Sequence, residues 1–353
     1  MQELNDILNI RQIMDVKLLS DIARKLVAPG KGILAADESD KTIEKRFNGI
    51  GVESTSENHR IYRQLLFKTP NIEEFISGVI LFDETIRQQS DEGIPFAKLL
   101  EGKGIIPGIK VDKGTKELGP RSSEKVTEGL EDLDERLKEY KGIGAQFTKW
   151  RAVIAIGEKI PTDECINTNA SLLAKYARLA QENNMVPIVE PEVLMDGGHD
   201  IQKCEEVTYI TLKSVFKALN TEGVELSGML LKPNMVIKGK ESLKESSAKE
   251  VAEATIRCFS EVIPRELPGI VFLSGGQGPE EAAANLDEMN KRGFYCELSF
   301  SFGRALQEPV LKAWAGKTEN IASAQKAFYY RSKMNSLARS GKYSPELEGM
   351  QNG

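Results

Sequence analysis

Short apolar runs recur along the chain at regular intervals, and this spacing limits the folds that the chain can adopt. Each run has five or six residues, the length of a β-strand, and most runs are apolar on both faces. Strands that are buried on both sides are typical of parallel sheets. The sequence therefore predicts parallel strands at GILAA 32–36, GVILF 78–82, IIPGIK 105–110, AQFTKW 145–150, VPIVE 186–190, GMLLK 228–232, IVFLS 270–274 and CELSFS 296–301.

Longer segments with helical spacing separate most of these runs. In one of them, Leu172, Leu173, Tyr176, Leu179 and Ala180 form one apolar stripe with steps of three and four residues. Strict alternation of strands and helices produces a parallel sheet with right-handed connections. Eight such units, from about residue 32 to about residue 330, predict an α/β fold that closes into a (β/α)8 barrel, the TIM barrel.

An open doubly wound sheet is the alternative architecture for this pattern. Such sheets usually carry a glycine-rich dinucleotide-binding turn after the first strand. Here DESDKT follows the first run and contains no GxGxxG motif, so the barrel is favoured. We expect a single domain over 1–353, with the barrel at about 30–330 and a short mobile tail at about 340–353. The opening segment MQELNDILNIRQIMDVKLL predicts an amphipathic N-terminal helix.

Composition and charge exclude several classes of function. The 353 residues include 47 Lys and Arg against 53 Asp and Glu, so the net charge is −6 and a nucleic-acid partner is not expected. The apolar runs are far shorter than the roughly 18 residues of a membrane span. The N-terminal sequence lacks the pattern of a secretory signal. We therefore expect a cytoplasmic protein with no membrane partner.

Two histidines and four scattered cysteines offer little for a metal site. A catalytic metal needs several imidazoles or thiolates that converge with a carboxylate, and none of the cysteines forms a CxxC pair. We expect no metal, and thiols that are free and buried. A Ser–His–Asp hydrolase would have to use His59 or His199.

Charged and polar residues follow nearly every predicted strand. In a (β/α)8 barrel the C-terminal ends of the strands form the mouth where catalytic groups lie. A single charged residue in such a place can simply be the first solvated position, but so many of them indicate a site. In chain order they are Asp37, Lys110, Lys149, Arg151, Glu190, Glu192, Lys232, Ser274, Gly275, Ser301, Gly303 and Arg304.

Lys232 is the most informative of these residues. It follows the apolar run SGMLL and precedes Pro233, so its aliphatic stem lies at the rim of a buried layer. Partial removal from water disfavours an ammonium, and we expect the nearby Lys149 to act in the same direction. A neutral amine attacks a carbonyl to form a Schiff base, whose iminium accepts electrons from a breaking C–C or C–H bond. Neighbouring carboxylates can move the protons that these steps need.

Two segments predict a phosphate-binding site. Ser274-Gly275-Gly276 leads into a predicted helix, and Ser301 with Gly303-Arg304 follows the eighth strand. Helix N-termini bind phosphate through free N–H groups, and barrels often build this site after strands seven and eight. A second set that could hold another phosphate comprises Lys110, Ser39, Thr42 and Arg46. Of these, Arg46 is equally compatible with an exposed position on a helix.

Several segments together resemble class I fructose-1,6-bisphosphate aldolase. They occur in the order and at the spacing of that family across residues 20–343, and they are GILAADES, GIKVDKG, KWR, VPIVEPE, LLKPNMV, FLSGGQ and SFGRALQ. The resemblance implies a TIM-barrel enzyme of glycolysis and gluconeogenesis that reversibly cleaves fructose 1,6-bisphosphate into dihydroxyacetone phosphate and glyceraldehyde 3-phosphate. It also implies a lysine Schiff base, no metal or other cofactor, and a homotetramer.

The resemblance assigns roles to individual residues. Lys232 matches the Schiff-base lysine, Lys149 the lysine beside it, and Asp37 the group that handles the substrate C4 hydroxyl. Glu190 matches the main proton-transfer carboxylate and Glu192 its neighbour. The phosphate of the ketose-derived half is matched by Ser274, Gly275, Ser301, Gly303 and Arg304. The region near the other phosphate is matched by Ser39, Thr42, Arg46, Lys110 and Arg151, where Thr42 replaces a serine of many members.

One departure from the family concerns the C-terminus. Animal and plant members usually carry a terminal tyrosine that reaches the active site. The last tyrosine here is Tyr343, and the sequence ends in QNG. Tyrosine-assisted proton exchange therefore has no matching residue in this chain.

Two other functions fit part of the pattern. A lysine-imine barrel of the transaldolase kind would act on a substrate with one phosphate, which the paired phosphate sites oppose. A non-enzymatic binding or scaffold protein with the same barrel is opposed by the complete set of catalytic residues.

Overall fold

The computed structural model describes residues 14–120 and 122–352, and its centre is a closed barrel of parallel strands. The strands are β1 Gly32–Ala36, β2 Ile76–Leu81, β3 Ile106–Lys110, β4 Thr115–Glu117, β5 Lys125–Thr127, β6 Phe147–Ile154, β7 Val186–Val193, β8 Leu230–Leu231, β9 Gly269–Phe272 and β10 Glu297–Phe302. Around the barrel the order is β1-β10-β9-β8-β7-β6-β3-β2. Every predicted run contains residues of one barrel strand, so the predicted TIM barrel is confirmed.

Helices connect the strands and surround the barrel. They span Val16–Leu26, Asp40–Asn48, Ser56–Phe67, Asp83–Ile86, Phe96–Glu101, Leu133–Ile143, Asp163–Glu182, Ile201–Thr221, Ala248–Val262, Pro279–Arg292, Arg304–Trp314 and Ile321–Arg339. The predicted apolar stripe lies on the helix Asp163–Glu182, where Leu173, Tyr176 and Ala180 are buried. None of the helices in the described residues is long and apolar enough to cross a membrane.

Apolar side chains close the N-terminal end of the barrel. The helix Val16–Leu26 lies there, and its Leu19 and Ile22 share one buried cluster with Phe147 of β6. Gly108 of β3 leaves room for this ring, since a Cβ on Gly108 would lie 2.3 Å from Cζ of Phe147. This end of the barrel is therefore packed core.

The predicted N-terminal helix is described only in part. Residues 1–13 lie outside the described part of the chain. The end of the predicted segment falls in the helix Val16–Leu26, which begins after Asp15, whose side chain accepts a hydrogen bond from the N–H of Leu18.

The opposite end of the barrel carries the charged residues. Strand register aligns Lys110 of β3 with Lys149 of β6, and Arg151 of β6 with Glu190 of β7. Residues two apart on a strand point to the same face of the sheet, so Lys149 and Arg151 project on one side. Charges from neighbouring strands therefore converge at this end of the barrel.

A small hairpin between β3 and β6 has no signal in the sequence. Strand β4 pairs antiparallel with β5. Each strand has three residues, and those of β4 are all exposed, so neither forms the apolar run that marks a strand. The hairpin is fixed to the barrel by Thr127, whose hydroxyl donates to the carbonyl of Arg151 at 2.8 Å.

The segment after the last long helix is bound to the body of the protein. Tyr343 is only 3% exposed, and its hydroxyl donates to Oε1 of Glu348 at 2.9 Å. The same oxygen accepts from Arg331 at 2.5 Å, and Tyr330 donates to the carbonyl of Leu347 at 2.7 Å. These contacts place the segment against the last long helix, and the expected mobility of the tail stays a prediction. Loss of helical periodicity marks where a helix ends, but it does not show whether the next segment packs.

Replacement of Glu348 by Gln is expected to destabilise the fold. The change removes the carboxylate from Arg331, whose side chain is only 5% exposed. Loss of one partner of a fully buried ion pair costs about 3–5 kcal/mol. Since the Glu348 side chain is 14% exposed, we expect a loss of about 1–3 kcal/mol in the free energy of unfolding.

The midpoint of urea unfolding measures this loss. Glu346→Gln is the matched control, because Glu346 is an exposed carboxylate in the same turn. Equal midpoints for the two variants would show that the contact between Arg331 and Glu348 does not hold the segment.

Candidate active site

The charged end of the barrel opens into a cavity of about 1120 Å³. Its walls come from strand ends and from the loops that follow them, the usual place of a TIM-barrel site. The structure brings together every site residue that the sequence predicts. The walls include Asp37, Ser39, Thr42, Arg46, Lys110, Lys149, Arg151, Glu190, Glu192, Lys232, Ser274, Gly275, Ser301, Gly303 and Arg304.

Lys232 follows β8 directly and lines the cavity. Its backbone N–H donates to the carbonyl of Val189 at 2.8 Å, which continues the pairing of β8 with β7. Its side chain is 4% exposed, and Nζ lies 3.1 Å from Oε1 of Glu190. The amine is buried, as its position in the sequence predicts, and a carboxylate is its immediate partner.

Carboxylates surround Lys149. Its Nζ lies 2.6 Å from Asp37 Oδ2, 3.2 Å from Glu190 Oε2 and 3.9 Å from Asp112 Oδ2. Burial lowers the pKa of Lys149, but the three carboxylates outweigh burial and hold that pKa well above its ordinary value. Lys149 is therefore a permanent cation. Glu190 contacts the side-chain nitrogen of Lys149 and that of Lys232.

Asp37 is the closest partner of Lys149. Burial raises the pKa of Asp37, but the ammonium of Lys149, followed by Lys232 and Lys110, outweighs it and holds the pKa well below its usual range. Asp37 is therefore an ionised carboxylate at neutral pH, with an oxygen on the cavity wall that can accept a proton from a bound hydroxyl.

Glu190 connects the two lysines through its two oxygens. Oε1 lies 3.1 Å from Lys232 Nζ, Oε2 lies 3.2 Å from Lys149 Nζ, and the Glu190 side chain is 5% exposed. A carboxylate within hydrogen-bond reach of an amine can take up its proton and return it in a later step. The cluster thus brings together a buried amine, a carboxylate that contacts two lysines and the ionised carboxylate of Asp37.

The loop after β9 has the shape of an anion-binding turn. Gly275 and Gly276 have φ values of 31° and 83°, in the region that favours glycine. A Cβ on Gly276 would lie 2.0 Å from Sδ of Met195, so a larger residue would require the Met195 side chain to move. Both glycines line the cavity, and the helix Pro279–Arg292 begins three residues after Gly276.

The loop after β10 completes this anion site. Ser301 is 1% exposed, and its hydroxyl has no hydrogen-bond partner among the described residues. Gly303 precedes the helix Arg304–Trp314, and Arg304 donates to the carbonyl of Gln277 at 3.3 Å. A free hydroxyl, a helix N-terminus and a guanidinium on the same wall suit a phosphate.

A second set of polar groups follows β1. The hydroxyls of Ser39 and Thr42 lie 3.2 Å apart at the start of the helix Asp40–Asn48. Arg46 lines the cavity, its side chain is 21% exposed, and it forms an ion pair with Glu38, so it is not an exposed residue of the helix surface.

The cations on β3 and β6 are each paired with a carboxylate. Lys110 Nζ lies 2.6 Å from Oδ1 of Asp112, and Arg151 Nε lies 2.5 Å from Oε2 of Glu192. Glu192 is therefore a partner of Arg151 and makes no direct contact with Lys232. These pairs hold both cations in fixed orientations at the cavity wall.

Sequence reasoning misses two buried carboxylates of the site, Glu38 and Asp112. Glu38 lies within the quoted segment GILAADES, and Asp112 lies within GIKVDKG. An acidic residue in such a loop is indistinguishable from a solvated one until its cationic partner is known. The only sequence feature that could have marked these two carboxylates is their position within the segments GILAADES and GIKVDKG.

His59 does not line the cavity. Its Nε2 lies 2.8 Å from Ser54 Oγ and its Nδ1 lies 3.0 Å from Glu84 Oε1, so it joins two neighbouring segments. Within the described residues, no group of three or more His, Cys, Asp or Glu side chains is arranged to hold a metal ion.

Comparison with known proteins identifies the family. The model of the family described as glycolytic fructose-bisphosphate aldolase class-I matches residues 18–353. The chain belongs to this family. A probable fructose-bisphosphate aldolase class 1 of Xanthomonas campestris pv. campestris is 54% identical over 332 residues, which are 94% of this chain and 99% of that protein. Fructose-bisphosphate aldolase 1 of Toxoplasma gondii is 53% identical, over 93% of this chain and 91% of that protein.

A solved aldolase structure shares the fold. Fructose-bisphosphate aldolase from Plasmodium falciparum, determined in complex with TRAP and a small-molecule inhibitor, superposes with a TM-score of 0.92. The two sequences are 50% identical, and the match covers 93% of this chain and 96% of that chain. The family that the sequence segments predict is thereby confirmed.

The electrostatics of the aldolase site predict a pH-dependent effect of Asp37→Asn on stability. Lys149 keeps Asp37 ionised in the folded protein to a lower pH than in the unfolded chain. The contribution of Asp37 is complete above the ordinary carboxyl pKa of about 4 and is lost as pH falls through the lower folded value. The difference in unfolding free energy between the wild type and Asp37→Asn should therefore shrink below about pH 5, by up to about 1.4 kcal/mol per pH unit.

Urea unfolding between about pH 6 and pH 3 measures this slope. Asp40→Asn serves as the control, because Asp40 is exposed in the next turn of chain, and its difference from the wild type should stay constant. A constant difference for Asp37→Asn as well would show that Lys149 does not hold the Asp37 carboxylate.

Proposed function

We propose that this chain is a single-domain class I aldolase that reversibly cleaves fructose 1,6-bisphosphate into dihydroxyacetone phosphate and glyceraldehyde 3-phosphate, in glycolysis and gluconeogenesis. One observation carries the proposal: the buried amine of Lys232 lies 3.1 Å from Glu190, in a cavity whose walls also carry two sets of phosphate-binding groups. The names of the relatives at 53–54% identity support the same reaction.

Schiff-base formation begins with a proton transfer from Lys232 to Glu190. The neutral amine then attacks the C2 carbonyl of the ketose and forms a carbinolamine. Glu190 returns its proton to the carbinolamine hydroxyl, which leaves as water, and the nitrogen lone pair forms the iminium. Lys149, 3.2 Å from the other oxygen of Glu190, holds the carboxylate in place through these transfers.

Bond cleavage uses Asp37. Its ionised carboxylate takes the proton from the C4 hydroxyl, a carbonyl forms at C4, and the electrons of the C3–C4 bond move to the iminium to give an enamine. Glyceraldehyde 3-phosphate then leaves. Asp37 releases its proton to solvent, and the enamine takes up a proton from solvent at C3. Hydrolysis of the resulting iminium releases dihydroxyacetone phosphate and frees Lys232.

The two polar sets bind the two phosphates. The C1 phosphate lies against the loops after β9 and β10, where the free hydroxyl of Ser301 and the N-terminus of the helix Arg304–Trp314 line the cavity. The C6 phosphate lies against Ser39, Thr42, Arg46, Lys110 and Arg151. A transaldolase-type substrate has one phosphate and would leave one of these sets without a partner.

Three further properties follow from the family. We propose a metal-free and cofactor-free enzyme, a homotetramer and a cytoplasmic location. A relative of Arabidopsis thaliana that is 52% identical is named as a cytosolic aldolase, which supports the location. Tyr343 is 3% exposed and bonded to Glu348, so we propose no role for it in proton transfer to the enamine.

Borohydride reduction in the presence of dihydroxyacetone phosphate is expected to label Lys232. Reduction converts the iminium to a stable secondary amine, and peptide mass mapping locates the added mass. Lys232→Ala should trap nothing. Lys240→Ala, which removes an exposed lysine paired with Asp196, should be labelled like the wild type. A label on Lys149 or Lys110 would overturn the assignment of the nucleophile.

Cleavage activity is expected to be unchanged by chelators. The imine itself accepts the electrons of the breaking bond, so no metal is needed for that step. A coupled assay of fructose 1,6-bisphosphate cleavage before and after dialysis against EDTA measures the effect. Loss of turnover that zinc or another divalent ion restores would rule out the metal-free mechanism.

Arg304→Ala is expected to weaken the binding of phosphorylated substrates. Loss of a desolvated contact between guanidinium and phosphate costs roughly 2–5 kcal/mol, or at least about thirtyfold in kcat/KM. Arg292→Ala is the control, because Arg292 lies at the far end of a neighbouring helix and pairs with Glu288. A change below about tenfold for Arg304→Ala would place the phosphate elsewhere.

A further inference from the structure

A buried carboxylate next to the reacting groups has no part in the mechanism above. The side chain of Glu38 is 4% exposed and lies between Asp37 and Ser39 in sequence. Its oxygens accept hydrogen bonds from Arg46, from Arg63 NH2 at 2.5 Å and from Gln307 Nε2 at 2.7 Å. Three donors from three different helices therefore converge on one carboxylate.

Gln307 extends this network to the strand and helices around it. Its Nε2 also donates to the carbonyl of Ala35 at 2.7 Å, and its Oε1 accepts from Tyr62 at 3.1 Å and from Arg63 at 3.2 Å. Gln307 lies one turn after Arg304 on the same helix, which begins at the C1-phosphate loop. The orientation of that helix is thus tied to Glu38.

Glu38 is held in its ionised form. Burial raises the pKa of Glu38, but Arg46 and Arg63 outweigh it and hold the pKa below its ordinary value. The side chain of Arg63 is 3% exposed, and Glu38 is its carboxylate partner among the described residues. The carboxylate and its two guanidiniums are therefore a fixed part of the fold at neutral pH.

The partners of Glu38 reach both phosphate-binding sets. Arg46 belongs to the C6 set, and its NH2 lies 3.8 Å from where a Cβ on Gly303 would be, in the loop of the C1 set. Gln307 binds Glu38 from the helix that carries Arg304 of the C1 set. One carboxylate thus connects a group of one phosphate set with the helix of the other.

We propose that Glu38 is a positioning residue that fixes the separation of the two phosphate sets and so gives the enzyme its preference for ketose bisphosphates over ketose monophosphates. The inference rests on the proposed function, since it assigns the two sets to the two ends of one substrate. The contacts of Glu38 are to Arg46, Arg63 and Gln307, and it acts through them.

The preference follows from simultaneous binding at two points. A bisphosphate gains the full contribution of both sets only when their separation matches the substrate, because preorganised groups lose little freedom on binding. A ketose with a phosphate on C1 alone uses one set, and its binding does not depend on that separation. Variants that loosen the link between the two phosphate sets should therefore weaken the binding of the bisphosphate more than that of the monophosphate.

Two variants test the link in the full-length enzyme. Glu38→Gln keeps the shape of the side chain and removes the charge that holds Arg46. Gln307→Leu removes the bond to the Arg304 helix and leaves the carboxylate paired with Arg46 and Arg63. If Glu38→Gln fails to fold, Gln307→Leu still tests the link, because Glu38, Arg46 and Arg63 stay paired in that variant.

Steady-state kinetics with fructose 1,6-bisphosphate and with fructose 1-phosphate supply the readout. For each variant we expect KM for the bisphosphate to rise by about tenfold, with kcat and the kcat/KM for the monophosphate both within about threefold of the wild type. Glu44→Gln is the control, because it removes an exposed carboxylate from the helix that carries Arg46. Its ratio of the two kcat/KM values should equal that of the wild type.

An equal loss on both substrates, or no change in either variant, would overturn the positioning role. Borohydride trapping with dihydroxyacetone phosphate separates this outcome from failure of the proposed function. Trapping at Lys232 in the wild type and in both variants, with an unchanged substrate ratio, would refute the role of Glu38 alone. Absence of trapping in the wild type would refute the aldolase mechanism itself.

Discussion

The ammonium of Lys149 is the charge on which the active site depends. It lies within 3.9 Å of Asp37, Glu190 and Asp112, in surroundings that leave its side chain 3% exposed. Buried charges are tolerated only where opposite charges compensate them, and removal of one partner leaves the others uncompensated. This cation makes the largest contribution to keeping Asp37 ionised, and it contacts Glu190, which also lies beside Lys232. The chemistry of the site is therefore set by electrostatics that the fold fixes in advance.

The closed barrel is what makes this cluster possible. Parallel register places Lys110 beside Lys149 and Arg151 beside Glu190, and closure brings Asp37, after β1, to the same mouth. At the other end Leu19 and Ile22 complete an apolar core. One end of the barrel is thus packed with apolar side chains, and the other carries the charged cluster.

The cations around the cluster are paired with carboxylates of the protein itself. Lys110 has Asp112 and Arg151 has Glu192 as partners, so each cation keeps its orientation. Outside the cavity, the contact between Glu348 and Arg331 holds the C-terminal segment on the helix that follows the Arg304 helix. Preorganisation of this kind lowers the cost of ordering groups when a ligand binds.

The sequence by itself determined the barrel, its strands and the identity of the residues at its mouth. Runs that are apolar on both faces have no stable place except a buried parallel sheet, and strand ends in such a sheet meet at one edge, so the positions of Asp37, Lys149 and Lys232 follow from local pattern. Only the tertiary structure decided how these charges pair. Glu190 sits between two lysines, Glu192 pairs with Arg151 instead, and Glu38 and Asp112 join the site although nothing in their local sequence distinguishes them. The packing of the segment around Tyr343 was also decided by the tertiary structure, because the sequence of this segment shows no helical periodicity. The physical reason is that periodicity records which face of an element is buried, whereas the partner of a buried charge comes from a distant strand and depends on register and closure.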